Sequence, residues 1–251
     1  MLDHNLFNTI SLTLSIVGIG QDRFKVFNGV FDEYTLKSLE VLKRKGYFDV
    51  LGQCIKTGKE ADVYLARKGE ELRAVKIYRM TSANFKKISS YIQRDYRFKD
   101  VKGNVRNIIL KWVQKEFRNL LICHKANVSV PFPYKCNNNI IVMEFVQGLM
   151  LKDTDLVNPE TFLTILLEQL KLLRYEAKMV HADLSEFNIL VRDQVPVIID
   201  LGQAMTVKNG DDFEQVRDLY TRDIEQIAHY FSKVYKLDVT TESLLKKLEK
   251  D

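Results

Sequence analysis

The chain has 251 residues, of which 46% are apolar and 28% are charged. This composition is typical of a folded globular protein and excludes a disordered or fibrous one, and the length allows one two-lobed domain or two small domains. Lysine and arginine number 38 against 33 acidic residues, which gives a formal net charge of +5. So small a basic excess identifies no partner by itself.

Cysteines and apolar segments indicate the cellular setting. Cys54, Cys123 and Cys136 form no Cys-x-x-Cys pair, so neither a disulfide framework nor a zinc site is predicted, and a reducing cytoplasm is expected. The most apolar early stretch, residues 6–19, is too short to span a bilayer and follows no basic residue, so no targeting or membrane segment is expected. Residues 10–16 alternate apolar and polar side chains, which is typical of a strand, and a frayed extension is an equal alternative.

The first half of the chain is predicted to be rich in strands. Hairpins are predicted where β-branched and aromatic residues flank turn signals, and helices where apolar residues recur at helical spacing. In chain order these are a helix over 34–45 ending at Gly46, a hairpin with strands 62–67 and 72–78, a basic segment 81–103, a helix over 105–126, and a hairpin with strands 134–136 and 140–146.

The second half is predicted to be mainly helical. Asn158 and Pro159 fit a helix N-cap and first turn, and an apolar stripe follows them. Two short strands, 189–191 and 197–199, precede a last helix over 222–234. The predicted fold class is therefore α+β with two lobes: a β-rich N-lobe with one central helix, and an α-rich C-lobe with a short β hairpin.

The most informative stretch reads His-Ala-Asp-Leu-Ser-Glu-Phe-Asn at residues 181–188, followed by two short strands and Ile-Asp-Leu-Gly at 199–202. Phosphoryl transfer needs a group that accepts the nucleophile's proton and oxygen ligands that hold magnesium across the phosphates. Asp183, Asn188 and Asp200 offer those groups. The Asp-x4-Asn spacing and the later Asp-x-Gly match the catalytic loop and the metal-binding aspartate of protein kinases. The alternative is that these side chains merely cap turns and end a strand.

A lysine in the first half fits the same chemistry. Lys76 lies in the apolar run Ala-Val-Lys-Ile, where a protein kinase places the lysine that contacts the α and β phosphates of ATP. A charge that faces a core or a cleft is costly unless it is paired. Glu116 is the only acidic residue between Val101 and Met143 and lies on an apolar helical stripe, so we pair it with Lys76. The alternative for Glu116 is a surface ion pair with a neighbouring basic side chain.

Two further segments would complete a nucleotide site. The run Thr-Gly-Lys-Glu-Ala joins two candidate strands where a kinase has its glycine-rich loop, but it has only one glycine, so Thr57 and Lys59 would supply phosphate contacts. The run lacks the spacing of a Walker-type loop. At the predicted lobe boundary, the carbonyl of Glu144 and the amide of Val146 would bind adenine, with Met143 behind the ring. An ordinary strand end is the alternative there.

Together these motifs resemble the RIO atypical kinases, in particular the archaeal form of the first RIO subfamily, over roughly residues 27–237. The motifs are Thr-Gly-Lys-Glu-Ala at 57–61, Lys76, Glu-Phe-Arg-Asn-Leu at 116–120, Met-Glu-Phe at 143–145, the 181–188 run, and Ile-Asp-Leu-Gly-Gln-Ala at 199–204. The resemblance implies a minimal two-lobed protein-kinase-like fold. We divide it into an extension of unknown role, an N-lobe with a leading helix and a nucleotide loop, and a C-lobe with catalytic and metal-binding loops, at residues 1–26, 27–146 and 147–251.

The resemblance also implies residue roles and partners. Asp183 would be the catalytic base, Asn188 and Asp200 would bind magnesium, and Asp200 could carry a transient aspartyl phosphate. ATP and Mg²⁺ are the implied cofactors, with Lys76 and Glu116 in the ATP site. The family further implies ATPase activity, serine autophosphorylation and a role in maturation of the small ribosomal subunit, with rRNA and ribosomal proteins as partners.

Two other functions stay open. A catalytically silent module that binds RNA or protein would use the basic residues crowded into one segment, although such charge runs are usually solvated surface. Those residues are Lys86, Lys87, Arg94, Arg97, Lys99, Lys102 and Arg106. A small-molecule phosphotransferase of kinase-like fold would share Asp183, Asn188 and Asp200. The Ser-Glu of the 181–188 run and the glutamine after Asp-Leu-Gly favour the RIO interpretation.

Overall fold

A computed structural model of the chain describes residues 31–80, 104–207 and 210–249, with side chains throughout except at 210–212. The strand predicted over 10–16 and the basic segment 81–103 lie outside the described residues. Of the basic residues singled out above, only Arg106 is described, and its guanidinium lies 3.6 Å from the centre of the Tyr34 ring.

A helix precedes the first sheet and covers one of its faces. Helix α1 spans Glu33–Arg44 and is capped by Asp32, whose carboxylate accepts a hydrogen bond from the Thr35 amide at 2.8 Å. Gly46 follows the helix with φ +74°, a left-handed conformation that glycine adopts at little cost. Leu39 is fully buried in an apolar cluster that α1 shares with the sheet.

The first sheet has five antiparallel strands in the order β1-β2-β3-β5-β4. In chain order they are β1 (Val50–Thr57), β2 (Ala61–Lys68), β3 (Glu71–Tyr78), β4 (Pro133–Asn137) and β5 (Ile140–Glu144). On the central strand β3, Val75 is fully buried in the cluster with α1. Because side chains alternate along a strand, the adjacent Lys76 points to the opposite face of the sheet.

Helix α2, Val105–Lys125, packs on that opposite face. It is capped by Asn104, whose side chain accepts a hydrogen bond from the Asn107 amide at 3.0 Å. Trp112 and Val113 pack in one cluster with Tyr78 of β3. The helix therefore borders the same space as Lys76.

The C-terminal part is mainly helical around one large apolar core. Its helices are α3 (Pro159–Lys171), α4 (Gly210–Tyr235) and α5 (Thr241–Leu248), and its strands are β6 (Leu149–Met150), β7 (Met179–Val180), β8 (Ile189–Arg192), β9 (Val195–Ile198) and β10 (Met205–Thr206). Strands β6, β8 and β9 form one small sheet, and β10 pairs with β7. As predicted, α3 begins at Pro159 with Asn158 as its N-cap.

The structure corrects several predicted bounds. The last predicted helix, 222–234, is part of a helix that begins twelve residues earlier, at Gly210. Phe213, Val216 and Tyr220 of its earlier turns pack in an apolar cluster with Val180 and Met205. Helix α5 was not predicted, although Thr240 and Ser243 form a reciprocal capping box at its start. Strand β5 ends at Glu144 rather than at residue 146. Within the described ranges, no helix is both long and apolar enough to cross a membrane.

Candidate active site

Three ionisable side chains from separate elements meet in a cleft, which is bordered by β3, α2 and the loop that follows β9. The Lys76 ammonium on β3 lies 2.8 and 3.1 Å from the two carboxylate oxygens of Glu116 on α2, so the predicted contact between them is present. The same ammonium lies 3.0 Å from Oδ1 of Asp200, which follows strand β9. Lys76 thus joins the sheet, helix α2 and the predicted metal-binding loop.

The charges of this cluster depend on one another. Burial raises the pKa of Glu116 to about 7, while the adjacent Lys76 opposes that shift. Burial alone would lower the pKa of Lys76, but the Asp200 and Glu116 carboxylates raise it above its usual range. The Lys76 ammonium in turn lowers the pKa of Asp200. The Glu116 side chain is 2% exposed and that of Asp200 is 52% exposed, so only Asp200 presents its carboxylate to the open cleft.

Asp183 and Asn188 lie together in the loop between β7 and β8. The Asn188 side chain donates from Nδ2 to the backbone carbonyl of Asp183 at 2.8 Å. The Asp183 carboxylate accepts a hydrogen bond from Nε2 of Gln203 at 2.8 Å. The loop carrying Asp200 therefore contacts the Asp183 carboxylate directly, and all three predicted catalytic and metal-binding residues border one region.

A buried histidine ties the start of this loop to the strand before Asp200. Nε2 of His181 lies 3.0 Å from the carbonyl oxygen of Ile199. Burial lowers the pKa of His181, which favours the neutral ring. Ala182, the next residue, has φ +66°, a left-handed conformation that is uncommon for alanine.

A residue that was not among the predicted site residues holds this strained backbone in place. Asp223 on α4 accepts hydrogen bonds from the amides of Ala182 at 2.7 Å and Leu184 at 2.8 Å, on either side of Asp183. Burial raises the pKa of Asp223 to about 7, while the two amide donors act against that shift. Sequence spacing gave no signal for this contact, because the partners of Asp223 are backbone groups about forty residues earlier.

The predicted adenine contacts lie at the end of the first sheet. Met143 is half-buried between the clusters of the two parts of the chain. The Glu144 carboxylate accepts from Arg192 of β8 at 2.6 Å and from the Phe132 amide at 3.1 Å. No hydrogen bond between described residues uses the amide of Val146.

The turn between β1 and β2 carries two of the predicted phosphate contacts, Thr57 and Lys59. Thr57 ends β1, and its hydroxyl lies 3.5 Å from the Cys54 thiol. Lys59 is exposed. In the described part of the chain, no hydrogen bond or ion pair joins either residue to Lys76. Their contact with phosphate stays a prediction.

Two oxygen atoms suit a hard divalent cation. Nδ2 of Asn188 donates to the Asp183 carbonyl, and Oδ1 of Asn188 accepts no hydrogen bond from a described residue. Oδ1 of Asp200 contacts Lys76, which leaves Oδ2 similarly uncommitted. The described residues contain no cluster of three or more His, Cys, Asp and Glu side chains that could hold a metal. A site with one carboxylate and one amide oxygen fits Mg²⁺, which keeps several waters and binds substrate phosphates.

The fold and the site together are those of a protein-kinase-like class. The first sheet carries a paired lysine, and the loops of the helical part carry Asp183, Asn188 and Asp200 at the same cleft. A solved structure supports this class. The chain resembles the Rio2 kinase from Chaetomium thermophilum, solved as an ADP/Mg²⁺-phosphoaspartate complex, with a TM-score of 0.65, 21% sequence identity and coverage of 86% of this chain and 67% of that one. At that identity the likeness supports the fold alone. The predicted α+β kinase-like fold is confirmed.

Sequence comparison shows the family. The RIO domain model matches residues 62–244. The chain is 36% identical over 218 residues to the RIO-type serine/threonine-protein kinase Rio1 of Haloferax volcanii, covering 84% of this chain and 73% of that protein. It is 39% identical over 215 residues to the Rio1 kinase of Methanocaldococcus jannaschii, covering 83% of this chain and 72% of that protein. The chain belongs to the RIO domain family, as the motifs predicted.

Proposed function

We propose that this chain is a magnesium-dependent ATP phosphotransferase and ATPase of the RIO type. The observation that carries the proposal is the contact of Lys76 with both Glu116 and Asp200. This contact brings a phosphate-binding cation to a carboxylate that remains open to the cleft. The nucleotide would lie between the proposed lobes, 27–146 and 147–251, with adenine at the Val146 amide and its phosphates directed toward Lys76.

Each residue of the cluster then has a distinct task. Lys76, held by Glu116, would contact the phosphates as an ammonium, since its raised pKa keeps it charged. Oδ1 of Asn188 and the Asp200 carboxylate would hold Mg²⁺, which neutralises charge on the phosphate oxygens. Asp183, oriented by Gln203, would accept the proton of an attacking hydroxyl or water.

A covalent step on Asp200 is a part of this proposal. A carboxylate oxygen attacks the γ phosphorus, the bond from that phosphorus to the β–γ bridging oxygen breaks, and ADP leaves with the electron pair. Water then hydrolyses the acyl phosphate to the free carboxylate and inorganic phosphate. Carboxylate nucleophiles occur in phosphate-transferring ATPases, and the relative from Chaetomium thermophilum was solved as a phosphoaspartate complex.

Serine autophosphorylation and a role in small ribosomal subunit maturation are proposed on the family resemblance alone. A cytoplasmic location is proposed as well. It is supported by the state of Cys54, Cys123 and Cys136, which are all free thiols in the structure.

The proposal is tested by incubating the chain with γ-³²P-labelled ATP and Mg²⁺ and treating the labelled protein with hydroxylamine, which cleaves acyl phosphates but not phosphoserine. We expect Asp200→Asn to lose both turnover and the hydroxylamine-labile label. Asparagine suits this position because Asp200 has φ +64°, which asparagine tolerates better than alanine. Asp183→Asn should lower turnover about 10²- to 10⁴-fold, the usual contribution of a general base, and retain ATP binding.

The matched control is Asp193→Asn, an exposed aspartate of similar left-handed backbone in the turn between β8 and β9, which should turn over ATP at the wild-type rate. Wild-type turnover in both Asp183→Asn and Asp200→Asn would refute the proposal. No turnover and no nucleotide binding by the unmodified chain would favour the silent binding module. Rapid phosphorylation of a small molecule such as choline or an aminoglycoside would favour the small-molecule phosphotransferase.

A further inference from the structure

Helix α2 presents two side chains to the backbone that follows Asp200. The Lys115 ammonium donates to the carbonyl oxygens of Gly202 at 2.7 Å and Ala204 at 2.6 Å. One turn further along the helix, Nδ2 of Asn119 donates to the carbonyls of Leu201 at 2.8 Å and Ala204 at 3.3 Å. Three of the four residues after Asp200 are therefore held through their backbone by one face of α2.

These contacts are made inside the protein. Lys115 and Asn119 are both 0% exposed. A lysine on a helix surface can usually extend its ammonium into water, whereas a buried ammonium is costly unless it is well hydrogen-bonded. The burial of Lys115 against backbone carbonyls indicates that the ammonium holds one conformation of the loop.

Asp200 needs such support. Its φ of +64° lies in the left-handed region, which costs a non-glycine residue about 1 kcal/mol or more. Gly202 also lies against α2, since a Cβ added there would be 2.9 Å from Cζ2 of Trp112. Together these features hold the loop against the turn of α2 that also carries Glu116.

We propose that Lys115 and Asn119 are positioning residues that hold the Asp200 carboxylate in its metal-binding orientation by fixing the carbonyls that follow it. The inference rests on the proposed role of Asp200 as a magnesium ligand. It implies that one turn of α2 sets two features of the site, since Glu116, a partner of Lys76, directly follows Lys115. A shift of α2 would thus displace the phosphate lysine and the metal ligand together.

The test measures metal binding directly rather than turnover. Mn²⁺, which has a paramagnetic signal, replaces Mg²⁺, and its dissociation constant is measured by electron paramagnetic resonance in the presence of saturating ADP. We expect Lys115→Met and Asn119→Leu each to raise the Mn²⁺ dissociation constant about 10- to 100-fold, the usual effect of losing a group that orients a metal ligand. The matched control is Lys111→Met, which removes an exposed lysine of the same helix and should leave Mn²⁺ binding unchanged.

Charge and folding effects are separated by the choice of variants. Removing the positive charge of Lys115 would by itself strengthen cation binding, so weaker binding in Lys115→Met requires a change in geometry. Asn119→Leu changes no charge and little volume, and it decides the question alone if Lys115→Met does not fold. Near-UV circular dichroism confirms native packing before each titration.

A folded Asn119→Leu protein with the wild-type Mn²⁺ dissociation constant would overturn the inference. The proposed function is tested separately by the unmodified chain and Asp200→Asn. If the unmodified chain binds no Mn²⁺ with ADP, or if Asp200→Asn binds it equally well, the metal role of Asp200 itself is wrong.

Discussion

Replacing Lys76 with methionine would leave the Glu116 carboxylate without its cationic partner inside the protein. The Glu116 side chain is 2% exposed and that of Lys76 is 12% exposed, so water cannot take the place of the ammonium. Among the described residues, the hydrogen bond from the Tyr78 hydroxyl would be the one that this carboxylate keeps. We therefore expect Lys76→Met to destabilise the fold, even though methionine fills similar space.

Removing one member of a buried ion pair usually costs about 3–5 kcal/mol. The lower end applies here, because Glu116 can escape by taking up a proton: burial already raises its pKa to about 7 with Lys76 present. Without Lys76 its folded-state pKa rises further. A carboxyl group with a raised folded-state pKa gives stability that is present at low pH and is lost as the pH rises through that pKa.

The loss caused by Lys76→Met should therefore be about 3 kcal/mol at pH 8 and smaller at pH 6. The stability loss caused by Lys76→Met grows by about 1.4 kcal/mol per pH unit between the folded-state pKa of Glu116 in the wild-type protein and its higher value in the variant. Urea denaturation followed by far-UV circular dichroism at both pH values measures it. Adding Glu116→Leu should recover most of the stability, because it removes the unpaired charge. Lys37→Met breaks a solvent-exposed pair with Glu33 on α1 and should leave the free energy of unfolding nearly unchanged at both pH values.

An equal loss at pH 6 and pH 8 would show that Glu116 does not titrate in this range. A double variant no more stable than Lys76→Met would show that the unpaired carboxylate is not the cause. Either result would refute the electrostatic account of the Lys76–Glu116 pair.

Three more predictions concern the same cleft. ATP binding should weaken as the pH falls through about 7, where Glu116 takes up a proton and Lys76 loses one of its two carboxylate partners. Isothermal titration calorimetry should find no such dependence in Glu116→Gln. Gly202→Ala should lower turnover and cost about 1–3 kcal/mol in urea denaturation, because its Cβ would lie 2.9 Å from Cζ2 of Trp112; unchanged stability would contradict that close approach. Asp223→Asn replaces one of the two carboxylate oxygens that accept from backbone amides with an NH₂ donor. It should lower the free energy of unfolding by about 1–3 kcal/mol and reduce turnover. A wild-type turnover rate would show that the 181–188 loop does not need this support.

The contact of Lys76 with Glu116 could be predicted from the sequence because both residues break an apolar pattern. A lone carboxylate on an apolar helical stripe needs a cation, and an alternating strand with one lysine supplies it. The 181–188 run could be singled out for a similar reason, since its aspartate and asparagine stand at the spacing of the protein-kinase catalytic loop, and their catalytic roles stay a prediction. Side chains that pair with other side chains can be recognised in the sequence, because each of the two residues interrupts a regular pattern.

Lys115, Asn119 and Asp223 could not be predicted in the same way. Their partners are backbone carbonyls and amides, which every residue possesses, so the sequence contains no complementary residue to find. Lys115 also stands beside Glu116 in a helix rich in basic residues, where an exposed lysine is the ordinary expectation. The earlier turns of α4 were not predicted, although Phe213, Val216 and Tyr220 stand at helical spacing before residue 222.

The two loops of the site are thus supported from opposite sides by side chains that bind backbone. Asp223 on α4 holds the amides around Asp183, and Lys115 and Asn119 on α2 hold the carbonyls after Asp200. Irregular loops at a cleft would otherwise expose backbone groups that need partners, and their strained residues would relax. Because the helices satisfy those backbone groups, the carboxylates of Asp183 and Asp200 need not do so. Both carboxylates therefore remain directed at the cleft, where a phosphate, a cation or a proton can reach them.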